Sequence, residues 1–345
     1  MRPPFEIAGN SIPAGQRRIV DIPLSMMSDH TPATLSVQVI HGRTPGPTIF
    51  VSAAVHGDEI IGVEIVRRLS QMMGGRRVTG TLLLVPIVNM FGFINQSRYF
   101  PDRRDLNRSF PGSAKGSLAS RLAQLFLKEV VDRCDYGIDL HSAAVHRENL
   151  PQIRTDLRDS RARALAKAFG APIIVNSVLR PGSLRLAASE HDVPVIVYEG
   201  GEGLRFDEFA IRVGVNGVLR TMHHLGMIRQ NKSRGSKILS HIATKSVWMR
   251  AEEGGLLRAK CKVGQIVHED DVLGVISDPF GSCETKVRSS AEGLIIGRAN
   301  LPVVNQGDAL FHIAVLPKTV VADSTFELPE GQFDNDPLFD EDEIH

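Results

Sequence analysis

The chain has 345 residues, of which 42% are hydrophobic and 23% are charged, so it is long enough for two domains and its composition supports globular cores. Its net charge of +1 gives no general argument for a nucleic-acid partner, and no run reaches the roughly 18–20 apolar residues that a membrane span needs. Three cysteines are too sparse for a disulfide framework and the N-terminus has no apolar signal segment, so we expect a cytoplasmic protein.

Charge is unevenly distributed along the sequence. The segment 323–345 contains nine acidic residues and no Lys or Arg, whereas the rest of the chain carries 30 acidic and 40 basic residues, a net charge of about +10. Acidic residues interspersed with Pro and Gly predict a mobile tail over 322–345. The net positive charge outside this segment suits a small anionic substrate, although a need for solubility alone would explain that charge equally well. The sequence is compatible with a homo-oligomer and does not specify one.

The first two-thirds of the chain combine strand and helix patterns. Residues 1–46 predict a β-rich lead-in, with a strand at Leu35–Ile40 and a Gly/Pro turn at Gly42–Pro47. Further predicted strands are 48–55, Thr81–Asn89, Tyr136–Ser142, Pro172–Val178 and Pro194–Gly201, and predicted helices are 61–73, Ser117–Arg133 and Arg205–Leu225. Buried strands that alternate with helices predict an α/β fold with a mixed, largely parallel sheet flanked by helices.

The pattern changes after a basic polar linker at Arg229–Lys237. Short strands with Gly turns follow at regular intervals, which predicts a small all-β domain over 238–318 after an α/β domain over 1–228. Two loosely related halves of this region resemble a biotinyl/lipoyl β-sandwich. Lys286 is the nearest candidate for a modified lysine, but its neighbours do not match that motif. We therefore interpret the region as a structural copy of a lipoyl-like domain and not as a carrier.

His56 and Glu59 lie where an apolar strand gives way to a helix. Three residues apart, they can converge above the carboxyl end of the strand, where open α/β sheets bind ligands. His141 also follows an apolar strand, and two histidines with a glutamate form a zinc site with an open position for water. His146 is an alternative third ligand. The competing interpretation is structural, with Gly57 permitting the turn and Glu59 stabilising the helix N-terminus.

Four sequence blocks occur in an order and at spacings typical of one enzyme family: HGDE at 56–59, DLNRSFPG at 105–112, DLHS at 139–142 and YEGGE at 198–202. The chain resembles the succinylglutamate desuccinylase/aspartoacylase family, a branch of the zinc carboxypeptidase (M14-like) fold, across residues 45–225. The resemblance implies a carboxypeptidase-like α/β domain and the C-terminal β domain that many members carry. It also implies one zinc ion per chain, held by His56, Glu59 and His141.

The DLNR block resembles the family's substrate-binding block, which implies that Asn107 and Arg108 bind a substrate carboxylate. The chemistry agrees, because the planar guanidinium group of an arginine can bind a carboxylate through two hydrogen bonds and an asparagine adds a directional donor. The alternative interpretation is a solvated basic loop. Arg185 is a further arginine that we expect on the substrate side.

Two catalytic roles also follow from the resemblance. Glu199, the first acid after its strand, matches the carboxylate that activates the water at the zinc and returns the proton to the leaving amine, with Glu202 as the alternative. Arg98 resembles a family arginine that contacts the substrate or the scissile carbonyl, with Arg103 and Arg104 as alternatives. The expected reaction therefore has one general base and one cationic side chain near the developing negative charge.

Together these residues predict a zinc-dependent hydrolase that cleaves the amide bond of an N-acylated amino acid or a similar small carboxylate-bearing amide. Two alternatives stay open. One is a metallocarboxypeptidase that removes a C-terminal residue from a peptide with the same zinc and arginines. The other is a non-catalytic small-molecule-binding or scaffold protein that uses the lipoyl-like domain for contacts.

Overall fold

The computed structural model of the protein describes residues 2–229 and 240–317. The strands of the first range are β1 (Phe5–Ile7), β2 (Asn10–Ile12), β3 (Arg17–Met26), β4 (Pro32–His41), β5 (Thr44–Ala53), β6 (Thr79–Val85), β7 (Tyr136–His141), β8 (Arg147–Thr155), β9 (Ile173–Asn176) and β10 (Val195–Gly201). Its α-helices are α1 (Ile61–Met72), α2 (Met90–Ile94), α3 (Leu118–Glu129), α4 (Ser160–Phe169), α5 (Leu184–Glu190) and α6 (Glu208–His224). The second range contains β11 (His241–Ala243), β12 (Lys245–Arg250), β13 (Gly255–Ala259), β14 (Ile266–Val267), β15 (Val272–Ser277), β16 (Glu284–Arg288), β17 (Gly293–Ala299), β18 (Val303–Val304) and β19 (Ala309–Val315).

One mixed sheet of 13 strands runs through the described residues. Its main path is β12-β19-β17-β8-β10-β7-β5-β6-β4-β3, and β9, β11 and β14 pair off this path. The centre is parallel, since β5 pairs with β6 and β7, and β7 pairs with β10, all in parallel register. On the two sides, β4 and β8 run antiparallel to their central neighbours.

Helices cover both faces of the central strands. On one face α1, α4 and α6 bury apolar side chains such as Ile65, Phe169 and Val215 against the sheet. On the other face α3 and α5 pack through residues such as Phe126 and Leu184. Each fully buried side chain of this size stabilises the fold by about 1.5–3 kcal/mol. A mixed sheet between two helical layers confirms the α/β fold class expected from the sequence.

The parallel strands bring three polar side chains to one sheet edge. His56 lies three residues beyond the end of β5, and His141 is the last residue of β7. Glu199, near the end of β10, is paired in register with His141. The carboxyl ends of adjacent parallel strands lie at the same edge, so residues distant in sequence meet there.

The C-terminal region is all-β, as expected, but only some of its strands form a separate sheet. β13, β15, β16 and β18 form a four-stranded sheet, which shares an apolar core with β12, β17 and β19 of the large sheet. β17 instead pairs with β8, and β11 pairs with β9, so other strands of this region extend the central sheet. The C-terminal β region therefore contacts β8, the strand beside β10, and β9, which pairs with β8. The domain boundaries at 228 and 238 stay predictions.

Two predicted segments fall largely or wholly beyond the described ranges: the linker from residue 230 onward and the acidic tail over 322–345. None of the helices in the part of the chain that the structure describes is long and apolar enough to cross a membrane.

Candidate metal centre and active site

His56, Glu59 and His141 converge in a buried cluster at the carboxyl edge of β5 and β7. The Nδ1 atom of His56 lies 2.8 Å from Oε1 of Glu59, and the Nδ1 atom of His141 lies 2.6 Å from Oε2 of the same carboxylate. One potential ligand atom from each residue lies within 4.8 Å of the others, and all three residues are buried. Two imidazoles and a carboxylate in this arrangement are the donor set that zinc prefers.

The turn that carries His56 and Glu59 is closely packed. A Cβ atom at Gly57 would lie 1.9 Å from the carbonyl carbon of Gly92, so a side chain cannot be accommodated there. The carbonyl of Asp58 accepts a hydrogen bond from the backbone N–H of Leu204, in the loop after β10. The glycine that the sequence suggested as a turn residue therefore also permits contact with the chain around α2.

The second nitrogen of each histidine is held by another carboxylate. Nε2 of His141 lies 2.7 Å from Oδ2 of Asp139, whose Oδ1 accepts a hydrogen bond of 2.8 Å from the Ser52 hydroxyl. Nε2 of His56 lies 3.3 Å from Oδ1 of Asp105. Metal-ligating histidines characteristically donate their other ring N–H to a carboxylate, which fixes the ring orientation and its tautomer. This arrangement fits a metal that contacts the two Nδ1 atoms.

The electrostatics of the cluster favour a cation. Burial alone would raise the pKa of Glu59, but His56 and His141 hold it well below its ordinary value. Burial opposes protonation of His141, yet the carboxylates of Asp139 and Glu59 raise its pKa well above the usual range. Two buried carboxylates, Glu59 and Asp139, and the half-buried Asp105 thus contact the two rings. A divalent cation among them would satisfy the same negative charge.

Arg98 is the predicted arginine that reaches this cluster. Its guanidinium group donates hydrogen bonds of 3.0 Å to Oε1 of Glu59 and 3.3 Å to Oδ2 of Asp105. Arg104 instead pairs with Asp102 at 3.1 Å and is exposed, and Arg103 is also exposed. The geometry therefore favours Arg98 over both alternatives, while its contact with a substrate carbonyl stays a prediction.

Glu199 is held by two groups on the neighbouring strand β8. Its Oε2 accepts a hydrogen bond of 2.9 Å from Nδ2 of Asn149, and its Oε1 lies 3.6 Å from Nη1 of Arg154. Glu202, the alternative base, accepts hydrogen bonds of 3.0 Å from the backbone N–H of His146 and 3.0 Å from Nδ2 of Asn300. The two Glu202 oxygens are thus bound to two loops, before β8 and after β17, whereas Glu199 shares the edge with His141.

A sequence profile of the succinylglutamate desuccinylase/aspartoacylase catalytic domain matches residues 45–225, more than half of the chain. The chain belongs to the succinylglutamate desuccinylase/aspartoacylase family. A relative from Halomonas elongata, named N-alpha-acetyl-L-2,4-diaminobutyric acid deacetylase, is 27% identical over 312 residues, which cover 87% of this chain and 91% of the relative.

Solved structures share the fold of this family member. A succinylglutamate desuccinylase/aspartoacylase from Rhodobacter sphaeroides superimposes with a TM-score of 0.77 at 23% identity, covering 86% of this chain and 95% of the other. The product-bound ectoine utilization protein EutE (DoeB) from Ruegeria pomeroyi gives a TM-score of 0.77 at 23% identity, covering 91% and 100%. The C-terminal β region is included in this shared fold, since the coverage extends well beyond residue 225.

The DLNR block forms a short 3-10 turn beside the metal cluster. The Asp105 carboxylate accepts a hydrogen bond of 2.8 Å from the backbone N–H of Asn107, and Oδ1 of Asn107 accepts one of 3.0 Å from the N–H of Leu184. Arg108 is exposed, and its Nη1 donates to the Asn107 carbonyl at 2.6 Å. Of the two predicted substrate contacts, Arg108 has the more accessible side chain, and Asn107 also ties the turn to the start of α5.

Arg185 lies on α5 and is tied to the end of β9. Its guanidinium group donates hydrogen bonds of 3.1 Å to the carbonyl of Ser177 and 3.0 Å to its hydroxyl. Burial, with a further contribution from the charge of Arg154, lowers the pKa of Arg185 to about 10. The charges of Arg154 and Glu199 both act on Arg185, whose guanidinium group already uses part of its donor capacity on Ser177. Its substrate role stays a prediction.

Four residues of the site were not singled out from the sequence: Asp105, Asp139, Asn149 and Arg154. Asp105 and Asp139 lie in the DLNR and DLHS blocks, and Asp139 shares a strand face with His141 because side chains alternate with a period of two. That periodicity would have identified Asp139. Asn149 and Arg154 lie on β8, where the sequence analysis predicts no strand.

Proposed function

We propose that the protein is a zinc-dependent hydrolase that cleaves the amide bond of an N-acylated amino acid or a similar small carboxylate-bearing amide. The observation that carries this proposal is the buried His56–Glu59–His141 cluster at the same sheet edge as Glu199. Family membership and the deacetylase name of the Halomonas elongata relative support the reaction class.

His56, Glu59 and His141 would hold the zinc ion, with Asp105 and Asp139 orienting the two rings. Bound zinc lowers the pKa of a water to roughly 7 and polarises a carbonyl group. Three protein ligands leave a position open for this chemistry, as in other hydrolytic zinc sites.

The residues of the chain then supply acid–base chemistry and binding. Glu199 accepts the proton of the attacking water and returns it to the leaving nitrogen, so that an amine and a carboxylic acid are formed. Arg98 stabilises the negative charge that develops on the carbonyl oxygen. Arg108 binds the substrate carboxylate through its planar guanidinium group, assisted by Asn107 and by Arg185.

The substrate class is tested with the zinc-loaded protein and two panels. One panel contains N-acetyl and N-succinyl amino acids, including N-α-acetyl-L-2,4-diaminobutyrate, and the other contains N-blocked peptides that end in glutamate. Mass spectrometry identifies the products, and we expect higher kcat/KM on the N-acyl panel. Faster release of C-terminal glutamate would favour a carboxypeptidase, and turnover of neither panel would favour a binding protein.

We also propose a cytoplasmic location, which the scarcity of cysteine supports. Cys134, Cys261 and Cys283 are all free thiols, and two of them are buried. A thiol count under non-reducing and reducing conditions on protein taken directly from cells would check this, since a secreted protein would be exposed to oxidation.

A further inference from the structure

Residues of the C-terminal β region and of the active site lie in one row across the sheet. Trp248 on β12 pairs with His312 on β19, which pairs with Gly297 on β17. Gly297 in turn pairs with Asn149 on β8, and Asn149 pairs with Gly201 on β10. The row thus joins the lipoyl-like region to the strand that carries Glu199.

We propose that Asn149 is a positioning residue for Glu199. The C-terminal β region fixes the orientation of the Asn149 side chain through Gly297. This inference rests on the proposed function, in which Glu199 is the general base. Asn149 is 8% exposed and donates the hydrogen bond of 2.9 Å to Oε2 of Glu199. An amide NH₂ group is only a donor, so this hydrogen bond fixes the orientation of the Glu199 carboxylate through one of its acceptor oxygens.

Gly297 leaves the space that the Asn149 amide occupies. A Cβ atom at position 297 would lie 2.7 Å from Oδ1 of Asn149, 3.2 Å from the carbonyl of Glu148 and 3.5 Å from Cβ of His312. The one contact below 3.0 Å is therefore with the far end of a flexible side chain. His312 cannot retreat easily, because its ring stacks on Trp248 with a centroid distance of 4.3 Å and an interplanar angle of 8°. The Asn149 side chain would absorb the displacement.

A second contact between the same regions provides a matched control. Asn300, in the loop after β17, donates through Nδ2 to Glu202 at 3.0 Å, and its N–H donates to the carbonyl of His146 at 2.9 Å. This contact uses the same chemistry and joins the same two parts of the chain, but it holds Glu202 and not Glu199. Asn300→Ala therefore removes a contact between the C-terminal β region and the active-site strands but leaves the hydrogen bond between Asn149 and Glu199 in place.

The experiment compares Asn149→Ala, the isosteric Asn149→Asp, Gly297→Ala and Asn300→Ala in the zinc-loaded full chain. We expect kcat to fall about tenfold to a hundredfold in the first three, with KM and zinc content close to wild type, because a misplaced base slows the chemical step and not binding. Asn149→Asp should lose at least as much as Asn149→Ala, since it places an acceptor against Glu199. Asn300→Ala should retain the wild-type kcat.

A double-mutant cycle decides whether Gly297 acts through Asn149. In the Asn149→Ala background, Gly297→Ala should cause no further loss of kcat, because its target is already gone. This inference would be overturned if the two losses of kcat were additive. It would also be overturned if both Asn149 variants kept the wild-type kcat while Glu199→Gln was inactive. Either result would leave the proposed function intact. An active Glu199→Gln variant, or a wild-type protein that hydrolyses neither panel, would overturn the proposed role of Glu199 and this inference with it.

Discussion

The Nδ1 atom of His141 lies 2.6 Å from Oε2 of Glu59, and this contact joins the end of β7 to the turn before α1. The other oxygen of Glu59 lies 2.8 Å from Nδ1 of His56. One carboxylate thus bridges two imidazoles that present the same kind of nitrogen to it. Removing either ring leaves two protein ligands, which bind a metal far more weakly than three.

The purified protein should contain about one zinc ion per chain, and His56→Ala or His141→Ala should remove most of it. Metal analysis after extensive dialysis measures this directly. A chelator should lower the Tm of the wild type but not of either variant, because a metal that binds only the folded state stabilises it. Full zinc retention in both variants would contradict the ligand assignment.

Asp139→Asn should weaken zinc binding by about tenfold to a hundredfold, the range typical of residues that orient a metal-ligating histidine. The Asp139 carboxylate holds Nε2 of His141 at 2.7 Å, and the isosteric amide removes its charge without opening a cavity. Competition with a chelator of known affinity gives the dissociation constant. Ser52→Ala removes only the hydroxyl that supports Asp139 and should have a smaller effect. Equal zinc affinity in Asp139→Asn and the wild type would exclude this orienting role.

The metal ligands could be identified from the sequence because local patterns surround them. β5 ends in a buried, largely apolar stretch three residues before His56. β7 and β10 are also mostly buried and, apart from Asp139, are apolar up to His141 and Glu199. β8 has the sequence RENLPQIRT, in which polar residues interrupt the apolar ones, so its strand pattern is weak. α4 is a short helix with three charged residues in its ten, and it was missed as well.

The junction between β8 and the C-terminal region could not be predicted for a different reason. Gly297 and Asn149 pair across a long separation in sequence, and no local pattern specifies which distant edge strands pair. The same holds for Asn149 and Arg154 beside Glu199, since their roles follow from the pairing of β8 with β10. The turn predicted at Gly42–Pro47 was also too long, because β5 begins at Thr44.

Glu199→Gln should keep the zinc and the fold but lower kcat by about 10²–10⁴-fold, the usual effect of a missing general base. Glutamine can still accept the hydrogen bond of 2.9 Å from Asn149 and loses only the longer contact of 3.6 Å with Arg154. Steady-state kinetics with metal analysis on the same preparation measures both effects. Glu202→Gln is the matched comparison, and an inactive Glu202→Gln beside an active Glu199→Gln would assign the base to Glu202.

Glu64→Gln should lower the Tm at neutral pH by roughly 1–3 °C, since partly exposed ion pairs contribute about 0.2–1 kcal/mol each. Hydrogen bonds from Arg67 and Arg68 lower the pKa of Glu64 from 4.5 to about 2, and Arg68 also pairs with Glu208 on α6. The folded pKa is depressed, so this stability is present above about pH 4.5 and is lost as the pH falls toward 2.

The difference in Tm between the wild type and Glu64→Gln should therefore be constant from pH 7 to about pH 5 and shrink below pH 4.5. Calorimetry at a series of pH values measures it, with Glu190→Gln at an exposed position of α5 as the comparison. A difference that grows on acidification would contradict the assignment.

Arg108→Lys should raise KM for acidic substrates and leave the zinc content unchanged. Arg108 is exposed beside the metal cluster, and a lysine would keep the charge but lose the planar pair of donors. A charge-assisted hydrogen bond contributes about 1.5–3 kcal/mol, so the expected loss of kcat/KM is about tenfold to a hundredfold. Arg104→Lys is the matched control, because Arg104 is exposed in the same loop but pairs with Asp102. It should remain close to wild type.

An analogue with its carboxylate converted to an amide separates recognition from loop structure. The wild type should hydrolyse this analogue poorly, and Arg108→Lys should reduce its turnover little further, because the interaction that the mutation removes is already missing. The four kcat/KM values form a cycle whose coupling energy isolates the contact between the guanidinium group and the carboxylate. If Arg108→Lys lowered kcat/KM equally on the carboxylate substrate and on the amide analogue, Arg108 would act by holding the Asn107 carbonyl, to which it donates at 2.6 Å. The proposal of an anionic substrate would then lose its main support.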